Sequence, residues 1–398
     1  MDTNQKEEAP ILMRNKDVEH IVNAAANLGH YAGAKPVDQR LALLITTDVH
    51  CDRKRLKSAV DYLNGMEALD AGICLGDVQS SNFTQNDGVW YTDIVNQASK
   101  PFYTVIGNHD GGNSTKASLS GTKKQVFDKF IAPTMERIGI AGLDRTYYAV
   151  TFEEYKITLI VLDNYDVPDD REESGDFAIS RSVDRIGQEQ ADWLVDTLMQ
   201  VPTDHHVLIA RHSYPDRVMP IPCTWTIPNQ QIEDNDRGNL TCHLVEDIVN
   251  AWMNGSTLEK EYVPGDDFHP EAWMKSSALT KCYMPDFEHS VLSPVKVKAD
   301  FKSRGQGIFI GYLVGHQHWD WQGHSLRYPK QRVYCFQATV NDMWQNYASD
   351  LPRLEGTKAE DSITVFTVDR KYRRVCLVRV GSNVTNTMTD RTYISFTY

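Results

Sequence analysis

The strongest constraint on this chain is a repeated pattern: a short apolar run, a helical stretch, then another apolar run, with polar residues gathered at the end of each run. Leu41–Thr47 reads as a buried strand and Arg53–Leu69 as a helix. Gly72–Leu75 is a second strand, Val89–Gln97 a helix and Phe102–Ile106 a third strand. Strands roughly 30 residues apart with helices between them are βαβ units, and these build a parallel sheet.

Tyr147–Phe152 and Lys156–Leu162 then read as a hairpin, Gly187–Met199 as a helix, and Val207–Ala210 and Gly307–Val314 as buried strands. The remainder (Val333–Ala338, Ser362–Val368, Val375–Val380, Thr392–Thr397) is strand-rich and suits a mixed second sheet. Two segments stand outside this rhythm. Residues 1–40 are predicted as an N-terminal helical extension, with Val18, Ile21, Val22 and Leu28 as the buried side of Lys16–Ala32. Pro215–Gly305 is rich in Pro, Asp, Asn and aromatics and shows no strand–helix alternation. It is predicted as a 215–305 insertion over the sheet edge, a lid or specificity wall, within a main domain spanning 41–398. Trp225, Trp252, Trp273, Tyr283 and Phe287 are expected to form its own small core, with a base- or sugar-stacking wall as the alternative.

Charge narrows the partners. Lys+Arg number 41 and Asp+Glu 54 in 398 residues, a formal net charge of −13. An acidic chain is a poor general binder of phosphate backbones, so no nucleic acid is expected. No apolar run approaches the roughly 18–20 residues of a membrane span, and no membrane partner is expected. The acidic Met1–Glu8 stretch carries no apolar segment of a secretory signal, and the seven cysteines show no C-x-x-C spacing. A reducing cytoplasm is the expected location, rather than a disulfide framework or a cysteine zinc site.

The polar clusters carry the chemistry, because ligands in open α/β sheets bind at the C-terminal ends of strands. Strand one ends in Thr47-Asp48-Val49-His50, strand two in Leu75-Gly76-Asp77, and strand three in Ile106-Gly107-Asn108-His109-Asp110. The Val207 strand ends in Ala210-Arg211-His212, and the Gly307 strand in Gly315-His316-Gln317-His318. Single matches mean little: D-x-H occurs three times, at Asp48/His50, Asp204/His206 and Asp267/His269. Only the first lies at a strand end among small residues. The ordered set of five is the signal.

Together these elements resemble the calcineurin-like metallophosphoesterase family, over the frame from about Leu41 to Asp320. The resemblance implies a four-layer α/β/β/α sandwich of two mixed sheets flanked by helices, with a two-metal centre at the strand C-termini. It implies Asp48, His50, Asp77 and His318 around one metal, and Asp77, Asn108, His212 and His316 around the other, with Asp77 bridging. His109 and Asn108 would steady the phosphoryl group, with a bridging hydroxide as nucleophile. Donors of this kind, without thiolate, suit Mn, Fe, Zn or Co, as divalent or mixed-valence ions. Two divalent ions less Asp48, Asp77 and a hydroxide leave the pocket near +1, which favours one compact phosphate.

The expected activity is hydrolysis of a small-molecule phosphate ester, as a mono- or diesterase. The alternative from another class is a catalytically idle scaffold of the same fold. Asp110 is a candidate to orient His109 for proton transfer. Arg211 is a candidate substrate contact, with a salt-bridged arginine as the alternative. Arg53, Lys54, Arg55 and Lys57 read as a solvated helix face, with a substrate-phosphate contact as the alternative, Asp320 as a support for a ligand histidine or a turn end, and Cys51 and Cys74 as packing residues.

Overall fold

The computed structural model describes residues 40–80, 82–83, 89–214, 218–220, 243–263, 293–318, 320–340, 360–381 and 393–398. The N-terminal helix expected over Lys16–Ala32 lies outside them, as do Trp225, Trp273, Tyr283 and Phe287.

β1 (Arg40–Thr46), β2 (Ala71–Cys74) and β3 (Phe102–Thr104) are parallel neighbours in the first sheet. Antiparallel β13 (Ser362–Asp369), β14 (Arg374–Gly381) and β15 (Tyr393–Thr397) complete it, in the order β15-β14-β13-β1-β2-β3. β1 is almost wholly apolar because β2 and β13 flank it and both of its faces are covered.

The second sheet takes the order β4-β5-β6-β10-β12-β11-β7. Its parallel centre is β5 (Ile157–Val161), β6 (His206–Ala210), β10 (Ile308–Val314) and β12 (Arg332–Cys335). Antiparallel β4 (Tyr148–Phe152), β11 (Trp321–Ser325) and β7 (Val218–Pro220) finish its edges.

Side-chain alternation makes the layers. On β5 and β6, Leu159, Val161, Leu208 and Ala210 join the core shared with the first sheet. Their neighbours Ile160, Leu162, Val207 and Ile209 face the opposite way, into a second core. The first sheet is covered by α1 (Arg53–Gly65), α2 (Val89–Val95), α3 (Lys123–Phe130) and α4 (Ala132–Arg137). The second is covered by α5 (Gln188–Gln200) and α6 (Leu244–Asn254). This is the expected α/β/β/α order of two mixed sheets. Tyr148 of β4 ties the sheets together: its hydroxyl donates to the Thr104 carbonyl and accepts the Thr104 N–H, each at 3.0 Å.

Two helices not foreseen are α3 and α4. The first has a full capping box, with the Thr122 hydroxyl on the Gln125 N–H and the Gln125 amide on the Thr122 N–H.

The described part of 215–305 also corrects an expectation, since it does contain regular elements. β7 extends the second sheet, α6 packs against it, and β8 (Thr257–Tyr262) pairs with β9 (Val295–Asp300). Trp252 does not belong to a separate small core. It is fully buried in the second core, donates to the Leu198 carbonyl at 3.1 Å, and has Arg304 stacked 4.9 Å from its ring. Among the described residues no helix is long and apolar enough to cross a membrane.

If α6 belongs to the framework, Trp252→Ala should destabilise the whole domain by about 3–5 kcal/mol in chemical denaturation. A dispensable insertion would instead leave the unfolding midpoint where it is in the unaltered protein.

Candidate metal centre

The five polar clusters converge where β1, β2, β3, β6 and β10 end. The loops after β1 and β2 continue the strand pairing for several residues. Asp48 N–H reaches the Gly76 carbonyl at 2.9 Å, His50 N–H the Asp77 carbonyl at 2.9 Å, and Cys51 N–H the Val78 carbonyl at 2.8 Å. Asp48, His50, Asp77, His316 and His318 all take left-handed backbone conformations, with φ between 44° and 67°. L-residues adopt this region reluctantly, and such conformations concentrate at functional sites. Gly315 lets the β10 loop approach the β1 loop: a Cβ there would overlap Thr47 Oγ1 and stand 2.8 Å from Asp48 Oδ2. The small residue in the G-H-x-H motif is therefore dictated by close approach.

The side chains form two groups that share Asp77. Asp48, His50, Asp77 and His318 bring ligand atoms within 4.8 Å of one another, and so do Asp77, His212 and His316. Asp48 Oδ2 is held by the Thr47 hydroxyl at 2.7 Å and the His316 N–H at 3.0 Å, while Oδ1 lies 3.2 Å from His318 Nε2. Asp77 Oδ1 accepts the His109 N–H at 2.8 Å, and Oδ2 lies 3.2 Å from His212 Nε2 and 3.8 Å from His50 Nε2. Backbone carbonyls aim two of the rings. Gln79 O takes His50 Nδ1–H at 3.1 Å, and Leu75 O takes His212 Nδ1–H at 2.6 Å. Each contact assigns the proton to Nδ1 and turns Nε2 inward, the orientation a metal ligand needs.

Electrostatics agree. Burial would raise the Asp48 and Asp77 carboxyls, but His318 at Asp48 and His212 at Asp77 outweigh it and hold both below the usual carboxylate range. Loss of hydration pushes His50 and His316 down to about 4, which leaves them neutral with a free lone pair. Burial also opposes charge on His212, yet Asp77 and Asp48 lift it to about 10. The two carboxylates call for positive charge at this point.

Asn108 Oδ1 is buried with no hydrogen-bond partner, and Asp48 Oδ1 and His212 Nε2 are buried facing only other members of the cluster, an expensive arrangement for polar atoms unless an ion meets them. This arrangement and the all-N/O donor set suit a dinuclear divalent-metal site.

The sequence model of the calcineurin-like phosphoesterase family matches residues 41–239, half of the chain. This protein belongs to that family. No curated protein sequence matches it. Among solved structures it is similar to the protein TT1561 of Thermus thermophilus, at 12% identity and a TM-score of 0.37, covering 85% of this chain and 98% of that one. It is also similar to a purple acid phosphatase from yellow lupin seeds, at 11% identity and TM-score 0.41, covering 92% of this chain and 55% of that one. For the phosphopantetheinyl hydrolase of Mycobacterium tuberculosis the figures are 10% and 0.34, with 76% of this chain and 91% of that one covered. Likenesses this remote bear no weight on what the calcineurin-like protein does.

In this phosphoesterase-family site, His109 turns Nε2 toward Asp77 Oδ2, 3.9 Å away, with its side chain 24% exposed. The residue that holds it is not Asp110. His109 Nδ1 donates to the Ser80 carbonyl, with the Asn113 amide nitrogen 3.2 Å from the same atom. Asp110 is fully buried and its oxygens go to backbone: Oδ1 accepts Val78 and Gln79 N–H at 2.8 and 3.1 Å, and Oδ2 accepts Gly107 and Asp77 N–H at 2.7 and 3.0 Å.

Arg211 likewise corrects its expectation as a substrate contact. It is 1% exposed, and its guanidinium is taken up by Glu246 at 2.9 Å and Asn164 at 3.3 Å. Arg55 is buried against Glu360 on the inner side of α1 and is no solvated residue. Cys74 is buried; Cys51 is exposed beside His50. Of the other D-x-H pairs, Asp204/His206 sits at the start of β6, with Asp204 paired to Lys156. Asp267/His269 lies outside the described residues. The carbonyls of Leu75, Gln79 and Ser80 escaped sequence reasoning, because a backbone acceptor leaves no mark on residue type.

Asp110→Asn would replace one acceptor oxygen by an NH₂ facing two buried N–H groups. Each unpaired buried donor costs about 1–3 kcal/mol, so stability of the metal-free protein should fall by at least about 2 kcal/mol in urea. An unchanged urea midpoint would mean that Asp110 does not organise these loops.

Proposed function

We propose that this protein hydrolyses small-molecule phosphate esters at the Asp48–His318 cluster, with two divalent ions, Mn, Fe or Zn, as cofactors. Asp48, His50, Asp77 and His318 would hold one ion, and Asp77, Asn108, His212 and His316 the other. The observation that carries this reading is the convergence of the Asp and His side chains, all but His316 buried, with Asp77 common to both groups. When bound, such a pair polarises a phosphoryl oxygen and lowers the pKa of water toward neutrality.

The chain's own residues have distinct tasks. Asn108 can use its Oδ1 as a ligand and still offer an amide N–H to a phosphoryl oxygen. Ser80 O holds the proton on His109 Nδ1. A protonated His109 can therefore give up the proton on Nε2, the atom facing the cluster, to the departing alkoxide oxygen and return to the neutral Nδ1–H form. Asp110 supports the loops, and Arg211 secures the end of β6 through Glu246. The free thiols of Cys51, Cys74 and Cys376, among the described residues, support a reducing, cytoplasmic location as part of the same reading.

The test is metal reconstitution with p-nitrophenyl phosphate, bis-p-nitrophenyl phosphate and their alkyl counterparts. Turnover should require two metal equivalents per chain, and the preferred ester class distinguishes monoesterase from diesterase. Protein loaded with two ions but inert toward every ester would leave only the idle-scaffold alternative.

Asp77→Ala should lose both ions by elemental analysis. Retention of both would contradict the shared-ligand assignment. His109→Ala should keep both ions and lose about 10²–10⁴ in rate on alkyl esters, with a much smaller loss on p-nitrophenyl esters, whose leaving group is stable as an anion. Equal losses on the two ester types would assign His109 to charge stabilisation instead.

A further inference from the structure

β14, two strands from β1 in the first sheet, carries a buried cation whose partner closely follows a residue of the candidate metal centre. Arg379 is 3% exposed, and its guanidinium forks. Nη2 pairs with Asp320, two residues after His318, while Nη1 donates to Ser362 Oγ. Asp320 Oδ1 also accepts the Gln337 N–H at 3.0 Å. Ser362 Oγ in turn lies 3.3 Å from Gln337 Oε1, so both arms of the fork bear on the same residue.

Gln337 opens a strip of backbone that fastens the ligand loops to each other. Ala338 N–H reaches the His318 carbonyl at 3.4 Å, Thr339 N–H the Thr47 carbonyl at 2.7 Å, and Val340 N–H the Asp48 carbonyl at 3.1 Å. Thr339 Oγ1 accepts the Thr47 N–H at 3.1 Å. One edge of the strip therefore holds the loop of Asp48 and His50, and the other holds the loop of His318. Those loops supply three of the four members of one ligand group.

We propose that Arg379 is a positioning residue for the Asp48–His50–His318 subsite. The inference rests on the dinuclear reading above. Arg379 Nη2 and the Gln337 N–H meet the same oxygen, Asp320 Oδ1, and together fix where it sits. Without Arg379, the carboxylate would turn toward another donor, and its hold on Gln337 would weaken. The strip would then set the distance between the two loops less sharply. The group of His212 and His316 shares the β10 loop, and His316 N–H bonds to Asp48 Oδ2, but it has fastenings of its own in the Leu75 carbonyl and in the His212 carbonyl, which accepts Gly315 N–H at 2.9 Å. Its affinity should therefore fall less.

The experiment is a calorimetric Co²⁺ titration of chelator-stripped full-length protein, with His50→Ala and His316→Ala marking which step belongs to which subsite. Supports around a ligand are worth about 10–100-fold in metal affinity, so Arg379→Met should weaken the His50 step by that factor and the His316 step by much less. Arg379→Lys, which keeps a cation beside Asp320, should recover most of the loss. Two steps of unaltered affinity in Arg379→Met, or equal weakening of both, would overturn the proposal. Equal weakening is what general loosening of the fold would give. Should Arg379→Met fail to fold, Asp320→Asn is titrated in its place, with the same selective loss expected and the same two results overturning it. Unaltered protein showing no two-step binding would instead remove the dinuclear reading itself.

Discussion

The Asp110 carboxylate gathers four backbone N–H groups from two loops, those of Gly107, Asp77, Val78 and Gln79. Much of the site follows from this bond set. It fixes Asp77, whose carboxylate lies in both ligand groups. It fixes Gln79, whose carbonyl aims His50, and Ser80, whose carbonyl aims His109. A buried carboxylate is tolerable because four donors replace its water, and four donors define its geometry more narrowly than any single contact would.

The metal centre pays for its geometry in backbone strain. Five of its residues adopt left-handed conformations, each costing roughly 1–2 kcal/mol for an L-residue. The gain is directional, because alternate residues of one short loop, Asp48 with His50 and His316 with His318, can face a single point. Bonds between loops hold that arrangement in place. The β1 loop pairs with the β2 loop, and the 337–340 strip joins the β1 loop to the β10 loop. The two sheets meet at this edge, so side chains from both reach one cluster.

Much of this was legible in advance. The strand and helix positions around β1, β2, β3, β6 and β10 followed from apolar runs ended by polar clusters, and the Asp and His residues that come together in the structure stood in those clusters. The β8–β9 hairpin carried a readable signal, since Thr-Leu-Glu-Lys-Glu-Tyr and Val-Lys-Val-Lys-Ala-Asp alternate in character. It was obscured by the Pro- and Asp-rich residues around it. α6 was hidden for the same reason, although its apolar residues Leu244, Val245, Ile248, Val249 and Trp252 have helical spacing. Local periodicity loses to surrounding composition when a long irregular segment is read as a unit.

Asp110 and Arg211 show where residue identity stops being informative. Each stands beside a site histidine in sequence, and adjacency suggested chemistry for both. Consecutive residues at a strand end point in opposite directions, so the neighbour of an inward residue faces the support behind it. Asp110 turned to four backbone amides and Arg211 to Glu246, a residue 35 positions further along the chain. The sequence by itself determined which residue types stand at strand ends, and hence which Asp and His side chains were there to be gathered. Only the tertiary structure decided which lone pairs face one another, which carbonyl holds each imidazole proton and which charges are taken up in packing. Those depend on distances between loops far apart in the chain, and no local pattern encodes them.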